Sequence, residues 1–323
     1  MRKSFKTLMF HGVADDMSEH CVFMPSRNCF VRTDDFEKAI DYCSSRFKIL
    51  RPGDLDAYFD GTASDDGIFI TVDDGLQYFF DHALPVLKKY NAPATVFITS
   101  DWTNEGIEPA IFALEYHLYS KLPAKLVVKK NELHFERQVT GKSGINAVLN
   151  ELWNELFNRK ISANSIRANE ISLNGVPMNE LTDEGNPGYW KPASWETIRA
   201  AHLSGIIDIG GHGKTHTPFS WLRADELEQE MAENKKEIQT HLNTEAVVCT
   251  FPHGMYDEKT LAVVGKHFAY GFTNRVVPAA VETRTCLSRY NVPFQRPNSI
   301  PSLLSYPFAG KILRKAGAVS GWY

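Results

Sequence analysis

Apolar positions in this chain fall into short, nearly unbroken runs, each closed by a polar or glycine-containing turn and followed by a stretch of helical periodicity. The runs cover residues 6–10, 68–72, 94–99, 206–209, 246–251 and 268–273, and each predicts a strand. Between them, Phe36, Ala39, Ile40 and Cys43 form one apolar stripe behind Asp34 and Glu37, which have capping-box spacing. Residues 76–90 also predict a helix. Ser194 predicts the cap of a helix carrying Ile198 and Ala201, with Gly205 as its stop. Asp225 and Glu228 repeat the capping-box spacing before Leu227, Met231, Ile238 and Leu242, whose charged opposite face marks a structural helix. This alternation is how βα units of a parallel α/β fold read. Residues His11, Asp73, Ser100, His212 and His253 stand where the strands end. In such folds strand ends carry the functional loops, so one site assembled from several loops is expected.

Residues 102–190 break the alternation. They predict a helix over 111–119, a hairpin around Lys130 and Asn131, and an amphipathic helix marked by Ile145, Val148, Leu149, Leu152, Trp153 and Leu156. A segment this long exceeds a simple βα connection and reads as an inserted subdomain within a single domain spanning 1–323. It is either a lid or binding surface, or a stabilising cap or dimer surface. Trp102, Tyr189 and Trp190 near its ends would stack on a ligand in the first case and pack in the second. From about residue 293 the chain is Pro-rich and ends in a tail with Lys311, Arg314 and Lys315. Three positive charges are fewer than the clusters that bind anionic lipid, so a docked surface tail is expected.

Composition narrows the partners. Hydrophobic residues at 43% and charged residues at 23% are those of an ordinary globular domain and exclude a disordered chain. The 35 basic and 39 acidic residues leave a net charge of -4, which gives no cationic footprint for nucleic acid. No apolar stretch nears the roughly 18 residues that span a bilayer. The first apolar run ends at Phe10, before a signal-peptide core could form, so no secretion signal is read. The five cysteines, Cys21, Cys29, Cys43, Cys249 and Cys286, are odd in number and contain no C-x-x-C pair. Reduced thiols and a cytoplasmic location are expected.

Three segments carry candidate chemistry. Thr71-Val72-Asp73-Asp74-Gly75 places two carboxylates after a strand and before a helix, where one would ligate a metal and the other stay free as a base. In Gly210-Gly211-His212-Gly213-Lys214-Thr215-His216, two imidazoles four residues apart can share one metal if the segment turns. With a carboxylate added, this set leaves open positions on a Zn²⁺-like ion for a hydrolytic water. In Thr250-Phe251-Pro252-His253-Gly254-Met255-Tyr256-Asp257, a stiff turn at Pro252, His253 and Gly254 would aim a backbone N–H at a developing oxyanion.

In this order the three segments resemble the motifs of the NodB-like polysaccharide deacetylases, carbohydrate esterase family 4. The resemblance covers roughly residues 5–100 and 190–295 and leaves the insertion outside. It implies a distorted (β/α)7-type barrel, here with an inserted α+β subdomain. It also implies one divalent ion, usually Zn²⁺, and hydrolysis of an N-acetyl group on an amino sugar. By resemblance, Asp73 is the general base, and Asp74, His212 and His216 are the metal ligands. The carboxyl-terminal Leu-x-His that supplies the acid in many members is absent, since no histidine follows His267. Phe10-His11-Gly12-Val13 instead resembles the start of a circularly permuted, exopolysaccharide-type subset in which an amino-terminal histidine is the acid, which gives that role to His11.

Two departures from the pattern stand out. Thr250 occupies the place of the arginine that orients the base, and Gly213 that of a hydroxyl residue. Arg289 is the candidate replacement orienter. The expected function is a metal-dependent deacetylase of an N-acetylated carbohydrate. The alternatives are a metal amidohydrolase or O-acetyl esterase on another small substrate, and a non-catalytic carbohydrate-binding module on the same fold. Oligomeric state is not legible.

Overall fold

The computed structural model describes residues 3–15, 29–278 and 282–292 of the chain. Cys21 and the Pro-rich tail lie outside the described residues. Its strands are β1 (Phe5–Phe10), β2 (Gly12–Ala14), β3 (Phe30–Arg32), β4 (Lys48–Leu50), β5 (Gly67–Val72), β6 (Ala94–Ile98), β7 (Ala124–Lys130), β8 (Leu133–Val139), β9 (Ile171–Leu173), β10 (Val176–Pro177), β11 (Ile207–Gly211), β12 (Val248–Thr250), β13 (Tyr270–Phe272) and β14 (Tyr290–Asn291). The α-helices are α1 (Thr33–Ser44), α2 (Leu55–Asp60), α3 (Leu84–Lys89), α4 (Ser100–Glu105), α5 (Ala110–Ser120), α6 (Lys142–Asn158), α7 (Trp195–Leu203), α8 (Ala224–Leu242) and α9 (Glu258–His267).

The six predicted runs become β1, β5, β6, β11, β12 and β13, paired in parallel in the order β13-β12-β11-β6-β5-β1-β14. Short β4 lies beside the first half of β5, and β6 pairs with β5 from Thr71 onward. The sheet curls into a distorted (β/α)7-type barrel. One short segment joins its two edges: Leu287 accepts a 2.9 Å hydrogen bond from the Thr273 N–H beyond β13, and Tyr290 and Asn291 then pair with Leu8 and Met9 of β1. Strand alternation sorts the side chains. In β5, Ile68, Ile70 and Val72 join the apolar layer under the outer helices, whereas Phe69 packs inside with Phe97, Val248 and Phe272. Thr71 and Asp73 share the parity of Phe69, so they too belong to the barrel interior.

Ser194 caps α7 as expected, its Oγ accepting the Thr197 N–H at 3.1 Å. The two capping boxes read at Asp34 and Asp225 do not form. β3 runs directly into α1 through Arg32, so Asp34 falls in the first helical turn. In α8 it is Glu226 that accepts the Arg223 N–H at 2.8 Å, and Asp225 likewise falls in the first turn. Both aspartates still face the positive end of a helix dipole. Residues 76–90 form α3 preceded by a widened π turn (Phe79–Ala83), which sets the missing N–H and bulky ring of Pro85 into the helix.

Within residues 102–190, β7 and β8 form the expected hairpin, and the antiparallel order β10-β9-β7-β8 makes a second sheet. α5 and α6 pack on it around a separate apolar cluster that includes Leu126, Phe135, Leu152 and Trp153. Tyr189 and Trp190 pack in this cluster, Trp190 stacked on Phe112 with ring centres 4.3 Å apart. Cys29, Cys43, Cys249 and Cys286 are buried, the last three as free thiols. No helix among the described residues is long and apolar enough to cross a membrane.

Candidate active site

The strand ends bring Asp73, Asp74, His11, His212, His216, His253 and Arg289 to the same end of the barrel. β5 delivers Asp73, whose N–H donates to Phe10 O at 2.9 Å and so sets it level with His11 on the neighbouring strand. β11 delivers His212, whose N–H donates to Ile98 O at 3.0 Å. Beyond these strand ends the backbone turns sharply. Asp74 (φ 71°), His216 (φ 60°) and His253 (φ 56°) all adopt the left-handed conformation, a form of strain that clusters at functional sites. Gly213 is explained the same way. Its φ is 76°, and a Cβ there would lie 3.0 Å from both Glu230 Oε1 and the Phe219 ring.

Asp74, His212 and His216 form the candidate metal site, with one ligand atom from each inside a mutual distance of 4.8 Å. His212 Nε2 is 3.3 Å and His216 Nε2 3.2 Å from Asp74 Oδ1, and the two Nε2 atoms are 3.1 Å apart. All three residues are buried, and neither Asp74 oxygen receives a hydrogen bond. A buried, unsatisfied carboxylate facing two imidazoles is costly unless a cation joins them. Burial alone would raise the Asp74 carboxyl, but the facing imidazoles hold it well below its ordinary value. Burial lowers His216, which keeps its ring neutral and able to donate a lone pair. A carboxylate with two imidazoles is a zinc-type donor set with positions left open. The residues therefore fit a divalent ion. His212 Nδ1 lies 3.2 Å from Thr250 O, and His216 Nδ1 lies 3.1 Å from the Asn164 side-chain amide.

Asp73 has a different environment. The Arg289 guanidinium grips it with two bonds, Nη1 to Oδ1 at 2.6 Å and Nη2 to Oδ2 at 2.7 Å. Nε of Arg289 donates to Thr273 O at 2.6 Å, and Nη2 donates to the Thr250 hydroxyl at 2.5 Å. Thr250, in the place of the expected arginine, thus helps hold the arginine that comes from the barrel-closing segment. Burial would raise the Asp73 carboxyl, and Arg289, joined by His212 and His11, more than offsets it, so the group stays below its ordinary value. His11 Nε2 is 3.9 Å from Asp73 Oδ2. Burial lowers His11, an effect that Asp73 and Asp74 partly oppose.

His253 is buried between the barrel and α6, its ring 4.7 Å from that of His216 and within 6.1 Å and 5.5 Å of the Trp153 and Phe157 rings. Trp102 does not stand out in solvent. It packs on Phe112 and lies 4.7 Å from the His216 ring. A cleft of about 470 Å³ opens beside His216, bordered by Trp102, Asn164, Thr215 and Thr217. Asn164 carried no signal in the sequence, and neither did the contact of Thr250 with Arg289.

The model of the family described as polysaccharide deacetylase matches residues 60–133 and 164–270. The match enters the insertion from both sides, further than the motif resemblance, and passes over β8 and α6. Among solved structures, the Streptococcus pyogenes deacetylase PplD in complex with acetate is similar at 15% identity and a TM-score of 0.60, covering 94% of this chain and 98% of that one. IcaB from Ammonifex degensii is similar at 16% identity and a TM-score of 0.56, over 95% and 98% of the two chains. A de-N-acetylase from Aggregatibacter actinomycetemcomitans is similar at 12% identity and a TM-score of 0.53, over 89% and 94%. At these identities the likeness is one of fold. No curated protein matches the chain.

Proposed function

The chain belongs to the polysaccharide deacetylase family, and from that premise we propose that it is a metal-dependent hydrolase that removes an N-acetyl group from an amino sugar of a glycan or glycan precursor and releases acetate. The observation that carries this reading is the pairing of two buried carboxylates with opposite surroundings. Asp74 faces two imidazoles and accepts no hydrogen bond, while its neighbour Asp73 is clamped by Arg289. The de-N-acetylase among the similar structures supports an N-acetyl over an O-acetyl substrate.

A divalent ion held by Asp74, His212 and His216, with zinc favoured by the donor set, would supply Lewis acidity toward the amide carbonyl and toward water. Asp73 takes the proton from the attacking water. Arg289 occupies one lone pair on each of its oxygens and leaves another free. Because Arg289 also keeps the carboxyl below its ordinary value, the base is ionised throughout the neutral range. The turn of Pro252, His253 and Gly254, left-handed at His253, would present a backbone N–H near His253 to the developing oxyanion. His11, whose Nε2 lies 3.9 Å from Asp73 Oδ2, protonates the leaving amine.

Two outcomes follow. The protein should release acetate from N-acetylated amino-sugar oligomers and carry about one divalent ion per chain, and Asp74→Ala and His216→Ala should lose ion and acetate release together. Elemental analysis and an acetate assay check this. Release from O-acetylated sugars alone would replace the amidase reading with an esterase one.

The second outcome concerns His11, which must carry a proton to act as acid. Its protonated fraction falls as pH rises through a value that burial has lowered, so the alkaline limb of kcat should lie below the ordinary histidine value. His11→Ala should abolish that limb and lower kcat by about 10²-fold or more. A profile of unchanged shape would return the acid role to another group.

A further inference from the structure

We infer that Asn164, a residue of the insertion, is a positioning residue of the metal centre, accepting the Nδ1–H of His216 and so fixing the one tautomer of that ring that can hold a cation. The inference rests on the metal-site reading of Asp74, His212 and His216. His216 Nε2 faces Asp74 Oδ1 at 3.2 Å and His212 Nε2 at 3.1 Å, so this is the nitrogen that must offer a lone pair. The ring proton then belongs on Nδ1. Nδ1 lies 3.1 Å from the atom placed as the Asn164 amide nitrogen, which would set one N–H against another. The amide oxygen, in that same placement, is buried with no partner.

Both faults disappear together if the terminal amide turns over, because its oxygen and nitrogen occupy interchangeable positions. Oδ1 then accepts from His216 Nδ1–H, and no buried acceptor is left over. The other ligand histidine already has this arrangement, with His212 Nδ1 3.2 Å from the Thr250 carbonyl oxygen. Ligating imidazoles generally need such an oxygen behind them to set tautomer and ring plane. For His212 the barrel provides it from β12. For His216 the insertion provides it.

The short turn that carries Asn164 (Ala163–Ser165) is built to stay in place. Its flanks Ala163 and Ile166 are buried in the insertion's apolar cluster, and Lys130 of β7 donates to Ser165 O at 2.7 Å. Trp102 fixes the same imidazole by ring contact at 4.7 Å. The insertion is thus a working part of the metal centre as well as a cover over it.

The test titrates metal-free protein with Zn²⁺ and Co²⁺ against a competing chelator, for wild type, Asn164→Leu and Asn164→Asp. Leucine fills the same volume but cannot accept, and its metal affinity should fall about 10- to 100-fold. Aspartate accepts but cannot donate, and it should bind at least as tightly as wild type. In zinc-loaded protein, the His216 Nδ1–H resonance should be protected from exchange in wild type and Asn164→Asp and lost in Asn164→Leu. Wild-type affinity in Asn164→Leu would overturn the inference, and so would an Asn164→Asp variant as weak as Asn164→Leu. An Asn164→Leu protein whose metal-free Tm falls with its affinity is judged by the resonance. If that resonance stays protected, the role is structural and the inference fails. A wild type that takes up neither ion overturns the metal reading itself, and the inference falls with it.

Discussion

Asp73→Asn should keep its metal and lose kcat by about 10²- to 10⁴-fold, the range that one general base contributes. The substitution changes no group in the Asp74, His212 and His216 set and is close to isosteric. What it removes is the one carboxylate beside the site that Arg289 keeps ionised. An amide cannot take a proton from water at neutral pH, and the other carboxylate of this constellation, Asp74, is the one grouped with the two imidazoles of the candidate metal site. Turnover on N-acetylated oligomers together with metal content separates the possibilities. Near-wild-type turnover removes Asp73 from the mechanism. Loss of metal along with turnover would make Asp73 a holder of the ion. Retained metal with lost turnover assigns the two adjacent carboxylates the separate roles proposed for them.

The place of both carboxylates at one strand end was legible in the sequence because strands buried on both faces leave continuous apolar runs, and the residue that ends each run is fixed by alternation; which of them is base and which ligand came from the resemblance alone. The same parity that puts Phe69 inside the barrel brings Asp73 to the site, and the turn after β5 then presents Asp74 next to it. β4 and β14 were not legible. Three and two residues long, they carry no period of their own and take strand geometry from β5 and β1. The helix starts at α1 and α8 were each misplaced by two residues because acidic residues in a first turn mimic a cap. Trp102 was read as either stacking or packing, and it packs against a candidate ligand histidine. Asn164 gave no signal. It stands 52 positions before its partner, in a stretch of serines and asparagines where an amide is the ordinary turn residue. Only the folded insertion brings it to His216.

Arg289→Leu should destabilise the protein by about 3–5 kcal/mol near neutral pH, the cost of leaving a buried partner charge uncompensated. Its side chain is fully buried, and the barrel-closing segment that carries it gives the Asp73 carboxylate its charged partner. The pH dependence follows from the carboxyl. In the wild type, Asp73 sits below its ordinary value, so its charge stabilises the fold above the unfolded-state value and that contribution is lost only as pH falls through the lower folded-state one. Without Arg289, burial acts with less opposition and pushes the folded-state value up. The ionised carboxylate then opposes folding at neutral pH, and the deficit should shrink as pH falls and Asp73 takes up a proton. The acid limb of activity should move upward for the same reason. Urea unfolding of wild type, Arg289→Leu, Asp73→Asn and the double variant checks the coupling. With no carboxylate to strand, Arg289→Leu should cost much less in the Asp73→Asn background. An equal cost in both backgrounds would make Arg289 a packing residue of the barrel closure, and Thr250 would then have lost its arginine without replacement.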